Sequence, residues 1–147
     1  SVYNDIGEIY SVQGDDFKAL DYFKKSLKIV LSVYGENHSQ VSSIYDHIGE
    51  IYFAQKDYSK ALYYFEESLK IRLSLFGENH PEVALSYYSI GSLYIIQGDK
   101  SKALNYYEKS LKIRLSVYGE NHPLTKEIMD LINVANSKVL QSPETTK

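Results

Sequence analysis

The four-residue segment Gly-Glu-Asn-His occurs three times in this chain, beginning at Gly35, Gly77 and Gly119, and both intervals are 42 residues. Self-similarity at a fixed period of about 20–50 residues is typical of stacked supersecondary units. The copies are close, because Ala61–Pro81 and Ala103–Pro123 differ at only five positions. The sequence therefore predicts a repeat array rather than a single closed core, and a catalytic site is rarely copied so evenly.

Composition narrows the classes of protein that such an array can belong to. The chain has no cysteine, which removes disulfides and thiolate metal sites and favours a reducing compartment, so we expect a cytoplasmic protein. A net charge of −3 argues against a nucleic-acid binder, which needs a positively charged surface. No apolar run approaches the roughly 20 residues that span a bilayer, so we expect a soluble protein with no membrane partner.

Each period contains two amphipathic helices. Apolar residues spaced three and four apart predict a helix A from about Gln40 to Ala54, and a second set after Lys56 and Asp57 predicts a helix B of about four turns. Gly77 suits the end of helix B, and Pro81 suits the first turn of the next helix. The helix A residues are Val41, Ile44, Tyr45, Ile48, Ile51 and Tyr52, and those of helix B are Ala61, Leu62, Phe65, Leu69, Leu73 and Phe76.

Glycine recurs inside helix A, at Gly7, Gly49 and Gly91. Because glycine in a helix interior costs roughly 1 kcal/mol, we expect a packing reason, namely close contact with helix B. The equivalent residue in the last helix is Asn133, and no helix B pattern follows it. We therefore interpret residues 123–140 as a capping helix that keeps the end of the array soluble.

These patterns predict an all-α protein of about seven helices arranged as antiparallel pairs. The chain begins inside an amphipathic pattern, so we expect an excised fragment whose first repeat is truncated at its N-terminus. The predicted divisions are repeat 1 at residues 1–38, repeat 2 at 39–80, repeat 3 at 81–122, the cap at 123–140 and a disordered tail at 141–147.

The periodic residues resemble the tetratricopeptide repeat signature. The 42-residue unit is similar to the longer variant found in kinesin light chains, and this resemblance implies a right-handed α-solenoid with the A helices on its concave face. The three copies of the signature are Tyr3, Ile6, Gly7, Tyr10, Ala19, Phe23 and Ser26; Tyr45, Ile48, Gly49, Tyr52, Ala61, Phe65 and Ser68; and Tyr87, Ile90, Gly91, Tyr94, Ala103, Tyr107 and Ser110.

The histidines do not predict a metal site. His38, His80 and His122 are one repeat apart, and helices pack about 8–10 Å from each other, so the three rings cannot converge on one zinc ion within a molecule. We expect them to cap the loops. His47, beside Asp46 and Glu50 on helix A, has no nucleophile or second histidine with it, and a solvated polar surface is the favoured interpretation over a general base.

Most of the fifteen tyrosines follow the period and are predicted to pack in the core or between repeats, Tyr34 and Tyr118 among them. Two lack aromatic counterparts. Tyr63 aligns with Asp21 and Asn105 and is expected to be exposed on helix B, whereas Tyr88 aligns with Asn4 and Asp46 and is our strongest single candidate for a ligand contact.

In a repeat protein, residues that obey the period build the scaffold, and variation at fixed positions can carry specificity. The resemblance implies that the varying inner face of the A helices binds a peptide. This face has no lysine or arginine, which excludes a carboxylate clamp and favours a peptide with basic and apolar or aromatic residues. The predicted residues are Asn4, Asp5, Glu8 and Ser11; Ser43, Asp46, His47 and Glu50; and Leu85, Tyr88, Ser89 and Ser92.

The preferred hypothesis is therefore a non-catalytic scaffold that binds a peptide segment of another protein, without a cofactor. A solvated face with no ligand is the alternative at the same residues. A different class of function is an architectural array that self-associates through incompletely covered edges, such as Ile128, Met129, Ile132 and Val139. A third alternative is the regulatory repeat region of a larger enzyme.

Overall fold

The computed structural model describes residues 1–140, and side chains are described as far as residue 137. In this part of the chain all regular structure is helical, as predicted. The predicted tail at 141–147 and the side chain of Val139 lie outside the described residues. The chain forms two compact units, Ser1–Gly77 and Glu78–Lys147, which we call unit 1 and unit 2. No helix in the described range is long and apolar enough to cross a membrane.

Unit 1 contains two helical hairpins. The first pairs α1 (Val2–Val12) with α2 (Asp16–Tyr34), and the second pairs α3 (Ser39–Ala54) with α4 (Tyr58–Phe76). Helix α3 also packs against α2, which joins the hairpins through one apolar core. The fully or nearly fully buried members of that core are Ala19, Phe23, Val30, Val41, Ile44, Ile48 and Ile51.

Unit 2 contains one hairpin and a further helix. Helix α5 (Pro81–Ile96) pairs with α6 (Lys100–Tyr118), and α7 (Pro123–Leu140) packs against α6. The helix boundaries that we predicted from the sequence, for helix A of the second repeat and for the capping helix, agree with α3 and α7 to within one residue. One expectation is wrong: Ile128 is fully buried, because α7 turns this side chain toward its own unit, while Met129 and Ile132 are half-buried.

The glycines inside helix A pack directly beneath an aromatic ring of helix B. A Cβ atom placed on Gly49 would lie 2.7 Å from the ring of Phe65, and one placed on Gly91 would lie 2.6 Å from Tyr107. Gly7 has the same relation to Phe23, at 2.8 Å. The predicted packing reason for these glycines is confirmed.

The Gly-Glu-Asn-His segment forms the turn from helix B to helix A. Gly77 ends α4 with a φ of +77°, a conformation that glycine adopts at no steric cost. The histidines then begin the next helix, because Nδ1 of His38, His80 and His122 accepts the backbone N–H two residues ahead at 3.1, 3.1 and 3.2 Å. The predicted capping role is confirmed as an N-cap of helices α3, α5 and α7.

The tyrosine expectations divide into two groups. Tyr63 is 57% exposed, as predicted. Tyr34 and Tyr118, which we expected in the core or between repeats, are 56% and 36% exposed and therefore do not lie in the core. Their rings stack on the capping histidines His38 and His122, with centroids 4.3 and 4.2 Å apart, so these tyrosines support the turn instead of filling the interior.

Candidate functional site

In unit 1, four of the predicted face residues form a single polar cluster that joins α1 to α3. Asn4 donates to Glu8 Oε1 at 2.7 Å, and Nε2 of His47 lies 3.3 Å from the same oxygen. On the other side of the imidazole, Glu50 Oε2 lies 3.9 Å from Nδ1. We call Asn4, Glu8, His47 and Glu50 the Glu8 cluster. It brings together side chains from the first and second repeats, as a binding face must.

His47 is more constrained than a solvated surface residue. Its ring stacks on Phe23 of α2, with centroids 5.0 Å apart and planes within 1°. Its side chain is 32% exposed, against 68% for Glu50 and 50% for Glu8. The imidazole ring is therefore held in place between two carboxylates that both remain open to solvent.

A small cleft of about 170 Å³ adjoins the Glu8 cluster. Asn4 and Ser43 both line it, together with polar groups from the start of α3. Ser43 donates to the backbone oxygen of Ser39 at 3.2 Å. The amide oxygen Oδ1 of Asn4 is buried and accepts no hydrogen bond from the described residues. A buried acceptor of this kind normally has a partner. We call the cleft that Asn4 lines the Asn4 cleft.

Asp46 differs from the Glu8 cluster because it is already paired. Its Oδ2 lies 2.6 Å from Nη1 of Arg72, and the two side chains are 17% and 4% exposed. Burial raises the pKa of Asp46, against the opposing effects of Arg72 and the Ser68 hydroxyl. The inner face of the A helices itself has no lysine or arginine, but a cation from α4 reaches the Asp46 carboxylate from behind this face.

The sequence does indicate that this arginine is buried, but a comparison restricted to the A helices misses the indication. Arg72 lies four and seven residues after Ser68 and Phe65, on the side of α4 that faces α3. Arg114 occupies the same position in α6, 42 residues later. A charged residue that follows the apolar spacing and repeats with the period predicts a buried ion pair or cation–π contact.

Asp5 and Ser11 remain separate from the Glu8 cluster. Both are exposed on α1, and Asp5 lines an open depression of about 530 Å³ with Glu8, Ile9 and Val12. This surface combines two carboxylates with exposed aliphatic side chains. It extends the acidic part of the face along α1.

In unit 2 the corresponding position to Asp46 is Tyr88. The Arg114 guanidinium lies 5.3 Å from the Tyr88 ring centroid, and the Tyr107 ring packs against Tyr88 at 6.3 Å. Burial and then Glu127 raise the pKa of Tyr88. Arg114 is held in turn by the backbone oxygen of Leu124, at 2.9 Å. Tyr88 is therefore a half-buried ring on a cationic support.

The other predicted residues of unit 2 lie near this ring in sequence but share few of its contacts. Ser92 Oγ lies 3.0 Å from the Tyr107 hydroxyl, and Ser89 is half-buried. Leu85 is 41% exposed. The surface offers an aliphatic and an aromatic side chain rather than the carboxylates of unit 1. Among the residues that the structure describes, no group of three or more His, Asp or Glu side chains is arranged to hold a metal ion.

The hairpins, the aromatic–glycine contacts and the periodic caps define a class of protein, the repeat proteins built from helix pairs. The family model for the tetratricopeptide repeat matches residues 1–74 and 40–116. The chain belongs to the tetratricopeptide repeat family. A search of curated proteins finds no match.

Solved structures give the same fold at low sequence identity. BtubC (BKLC) from P. vanneervenii is 20% identical with a TM-score of 0.77, and the alignment covers 99% of this chain and 66% of that one. A kinesin light chain candidate from Podospora anserina with nearly identical TPR-like repeats is 16% identical with a TM-score of 0.80, covering 95% and 67%. The chain thus spans about two thirds of the length of these structures, and its likeness to kinesin light chains is confirmed.

A third structure is shorter and contains a bound peptide. The first TPR of Spaghetti (RPAP3), bound to the HSP90 peptide SRMEEVD, is 16% identical with a TM-score of 0.67, and the alignment covers 95% of this chain and 94% of that one. At these identities the likeness concerns the fold alone.

Proposed function

We propose that this chain is a non-catalytic protein-interaction module that binds a peptide segment of a partner protein through its A helices. Membership of the tetratricopeptide repeat family supports this, as does the peptide bound to the RPAP3 relative. The division into repeats at 1–38, 39–80 and 81–122 with a cap at 123–140, and a cytoplasmic location, are parts of the same proposal.

The observation that carries the proposal is the Glu8 cluster of unit 1, in which two solvent-exposed carboxylates from α1 and α3 lie on either side of His47. Asn4 lines the adjoining cleft, and its amide offers hydrogen-bonding groups of the kind that an extended peptide backbone complements. Asn4 is held in place because its own Nδ2 donates to Glu8. The amide is therefore oriented before a ligand arrives.

The charge of the face suggests which peptides it accepts. Glu8 and Glu50 are at least half exposed, and within the cluster they contact His47 and, for Glu8, Asn4. A lysine or arginine of the peptide complements these carboxylates, and charge of this kind mainly sets association rate and partner choice. Asp46 contributes less than we expected from the sequence, because Arg72 already neutralises it.

In unit 2, Tyr88 and Leu85 provide apolar surface for a hydrophobic or aromatic residue of the partner. Aromatic residues that bury a face and keep a polar edge are common at binding surfaces. Ser89 and Ser92 add hydroxyl groups close to them in sequence. For a transient contact of this size we expect dissociation constants around 10⁻⁶ M, about 8 kcal/mol.

A peptide array is the direct test, with the chain as the labelled probe and hits measured again in solution by fluorescence anisotropy. The Glu8→Lys, Glu50→Lys double variant should lose basic hits, and Asn4→Ala should weaken most hits regardless of charge. Glu66→Lys, Glu108→Lys, which makes the same total change of charge at exposed positions of α4 and α6, is the matched control. If the Glu8→Lys, Glu50→Lys variant and this control bind the same peptides equally well, the face does not bind them.

Self-association is a second candidate, which exposed apolar side chains at α1 favour. Val2 and Ile9 are 73% and 55% exposed, whereas their counterparts Ile44 and Ile51, which α2 covers, are each 2% exposed. A second copy could cover this face. Light scattering across a concentration series tests it: Ile9→Glu should abolish any oligomer, and a wild-type monomer at high concentration eliminates this candidate.

A further inference from the structure

Two clefts away from the proposed peptide face are copies of each other. The cleft of unit 2, about 530 Å³, is lined by Glu78, Asn79, Tyr87, Lys109, Lys112 and Ser116. The cleft of unit 1, about 340 Å³, is lined by the residues 42 positions earlier, among them Glu36, Tyr45, Glu67 and Lys70. Each cleft lies between a Gly-Glu-Asn-His turn and the helix B that follows it in the chain, α4 in unit 1 and α6 in unit 2. The backbone around the clefts is therefore repeated, while the lining side chains can differ.

The two clefts have opposite charge. In unit 1 the charged lining is Glu36, Glu67 and Lys70, a net charge of −1. In unit 2 it is Glu78, Lys109 and Lys112, a net charge of +1. The whole difference comes from one substitution between repeats, Glu67 for Lys109. It is one of the five positions at which Ala61–Pro81 and Ala103–Pro123 differ.

Lys109 is held at the cleft by aromatic rings. Its Nζ lies 5.2 Å from the Tyr106 centroid and 5.5 Å from the Tyr87 centroid. Lys112 lies one turn along the same helix, so both ammonium groups project from the same side. Within the described residues neither lysine forms a salt bridge. Two cations are thus available to an incoming anion.

The neighbouring polar groups add directional hydrogen bonding. Asn79 Nδ2 donates to Ser116 Oγ at 3.2 Å, which fixes the hydroxyl oxygen and leaves the hydroxyl proton to donate outward. Tyr87 provides an aromatic surface in the lining of the cleft. The combination suits a carboxylate next to an apolar side chain.

We propose that the cleft of unit 2 is a second peptide-binding site, which takes an acidic segment of a partner protein with a carboxylate between Lys109 and Lys112. This second site is separate from the peptide face proposed above, which is acidic in unit 1 and binds basic peptides. Lys109 determines the specificity, because the unit 1 copy with Glu67 repels the same ligand. One chain therefore holds both a cationic and an anionic version of the cleft.

The chain offers a matched pair of variants for the test. Isothermal titration calorimetry of the full chain uses the end-capped peptide Glu-Leu-Glu-Phe-Glu and, as a neutral control, Gln-Leu-Gln-Phe-Gln. Wild type should bind one acidic peptide, and Lys109→Glu should weaken binding by about tenfold or more. Glu67→Lys should raise the stoichiometry from one to two. Both substitutions place in one unit the residue that the other already carries, so folding is preserved.

Location is tested by NMR, since the Asn79 side-chain amide reports directly on the cleft. Its signals should shift on addition of the acidic peptide and stay unchanged with the neutral one. Equal binding by wild type and Lys109→Glu, unshifted Asn79 signals, or no binding by wild type each overturns the proposal. The Glu8→Gln, Glu50→Gln variant, which removes the acidic charge of the peptide face without making it cationic, should bind the acidic peptide as wild type does, so failure of this site and failure of the peptide face are distinguishable.

Discussion

The two units place the same arginine behind the same position of an A helix, but they give it different partners. In unit 1 Arg72 pairs with the carboxylate of Asp46, and in unit 2 Arg114 supports the ring of Tyr88. The arginine is repeated 42 residues later, whereas its partner changes from aspartate to tyrosine. The comparison shows that the scaffold cation accommodates either an acidic or an aromatic surface residue, so the character of the face can change without a change in the hairpin.

The two contacts have different energetic consequences. A buried ion pair has a desolvation cost that its attraction roughly offsets, but removal of one partner leaves an uncompensated charge. A cation over an aromatic ring leaves only a neutral ring when the cation is removed, and it contributes about 0.5–2 kcal/mol. Unit 1 should therefore be the more sensitive of the two to loss of its arginine.

The largest effect should come from Arg72→Met, which leaves Asp46 buried without its cation. We expect a loss of about 3 kcal/mol in the free energy of unfolding. The matched variant Arg114→Met should lose about 1–2 kcal/mol, which covers the cation–π contact and the hydrogen bond to Leu124. Urea denaturation followed by circular dichroism measures both, and hydrogen exchange assigns each loss to its unit. Equal losses in the two variants would contradict the comparison.

A second pair of variants tests a feature that the units share. Gly49→Ala places a methyl group against Phe65, and Gly91→Ala places one against Tyr107, at 2.7 and 2.6 Å. Overpacking outweighs the gain in helix propensity, and we expect each to lose about 1–2 kcal/mol in the same denaturation assay. Here the two units should agree. A stabilised Gly49→Ala protein would show that the rings move aside freely.

The third prediction is a gain in stability. Lys56 in unit 1 has a φ of +63°, whereas the matching residue of unit 2 is Gly98, at +81°. A side chain in the left-handed region costs about 1 kcal/mol, so Lys56→Gly should raise the thermal midpoint by a few degrees and the free energy of unfolding by about 1 kcal/mol. Lys60→Gly, inside helix α4, is the control and should destabilise. An unchanged midpoint for Lys56→Gly would mean that the turn holds no strain.

The smallest effect concerns pH. Burial raises the pKa of Asp46 above its ordinary value of 3.8, so the folded state holds this proton more tightly than the unfolded chain. The resulting stabilisation is complete below pH 3.8 and is lost as pH rises through the folded-state pKa. The stability of wild type relative to Asp46→Asn should therefore fall as pH rises from that value. Tyr88→Phe in unit 2 should show no such slope, and an opposite slope for Asp46 would refute the assignment.

Local chemistry made the fold predictable. The helix boundaries depend on short-range sterics and burial, which Gly77, Pro81 and the apolar spacing of each helix reveal. Glycine is unfavourable inside a helix, so Gly49 indicated a close contact with helix B. Each of these signals acts within a helix or between a helix and its neighbour. For this reason the helix boundaries predicted from the sequence agree with those of the structure almost everywhere.

The site was less predictable, because partners across helices decide it. The sequence placed Asp46 on the inner face but did not indicate that Arg72, from the other helix of the hairpin, would neutralise it. The stacking of His47 on Phe23 was missed for the same reason, since the two residues are 24 positions apart and on different hairpins. The charge inversion between the two clefts depends on a single pair of equivalent residues, Glu67 and Lys109, and a repeat comparison alone does not distinguish such a difference from ordinary sequence variation.

The histidine caps make the start of three successive helices depend on one kind of side-chain acceptor. Nδ1 of His38, His80 and His122 accepts the backbone N–H two residues ahead at the start of α3, α5 and α7. The cost of losing these caps is therefore distributed over both units instead of concentrated in one. Replacing all three histidines with alanine should lower the free energy of unfolding by about 1 kcal/mol per cap, and replacing them with aspartate, which also caps helix N-termini, should restore most of that loss in the same urea denaturation assay.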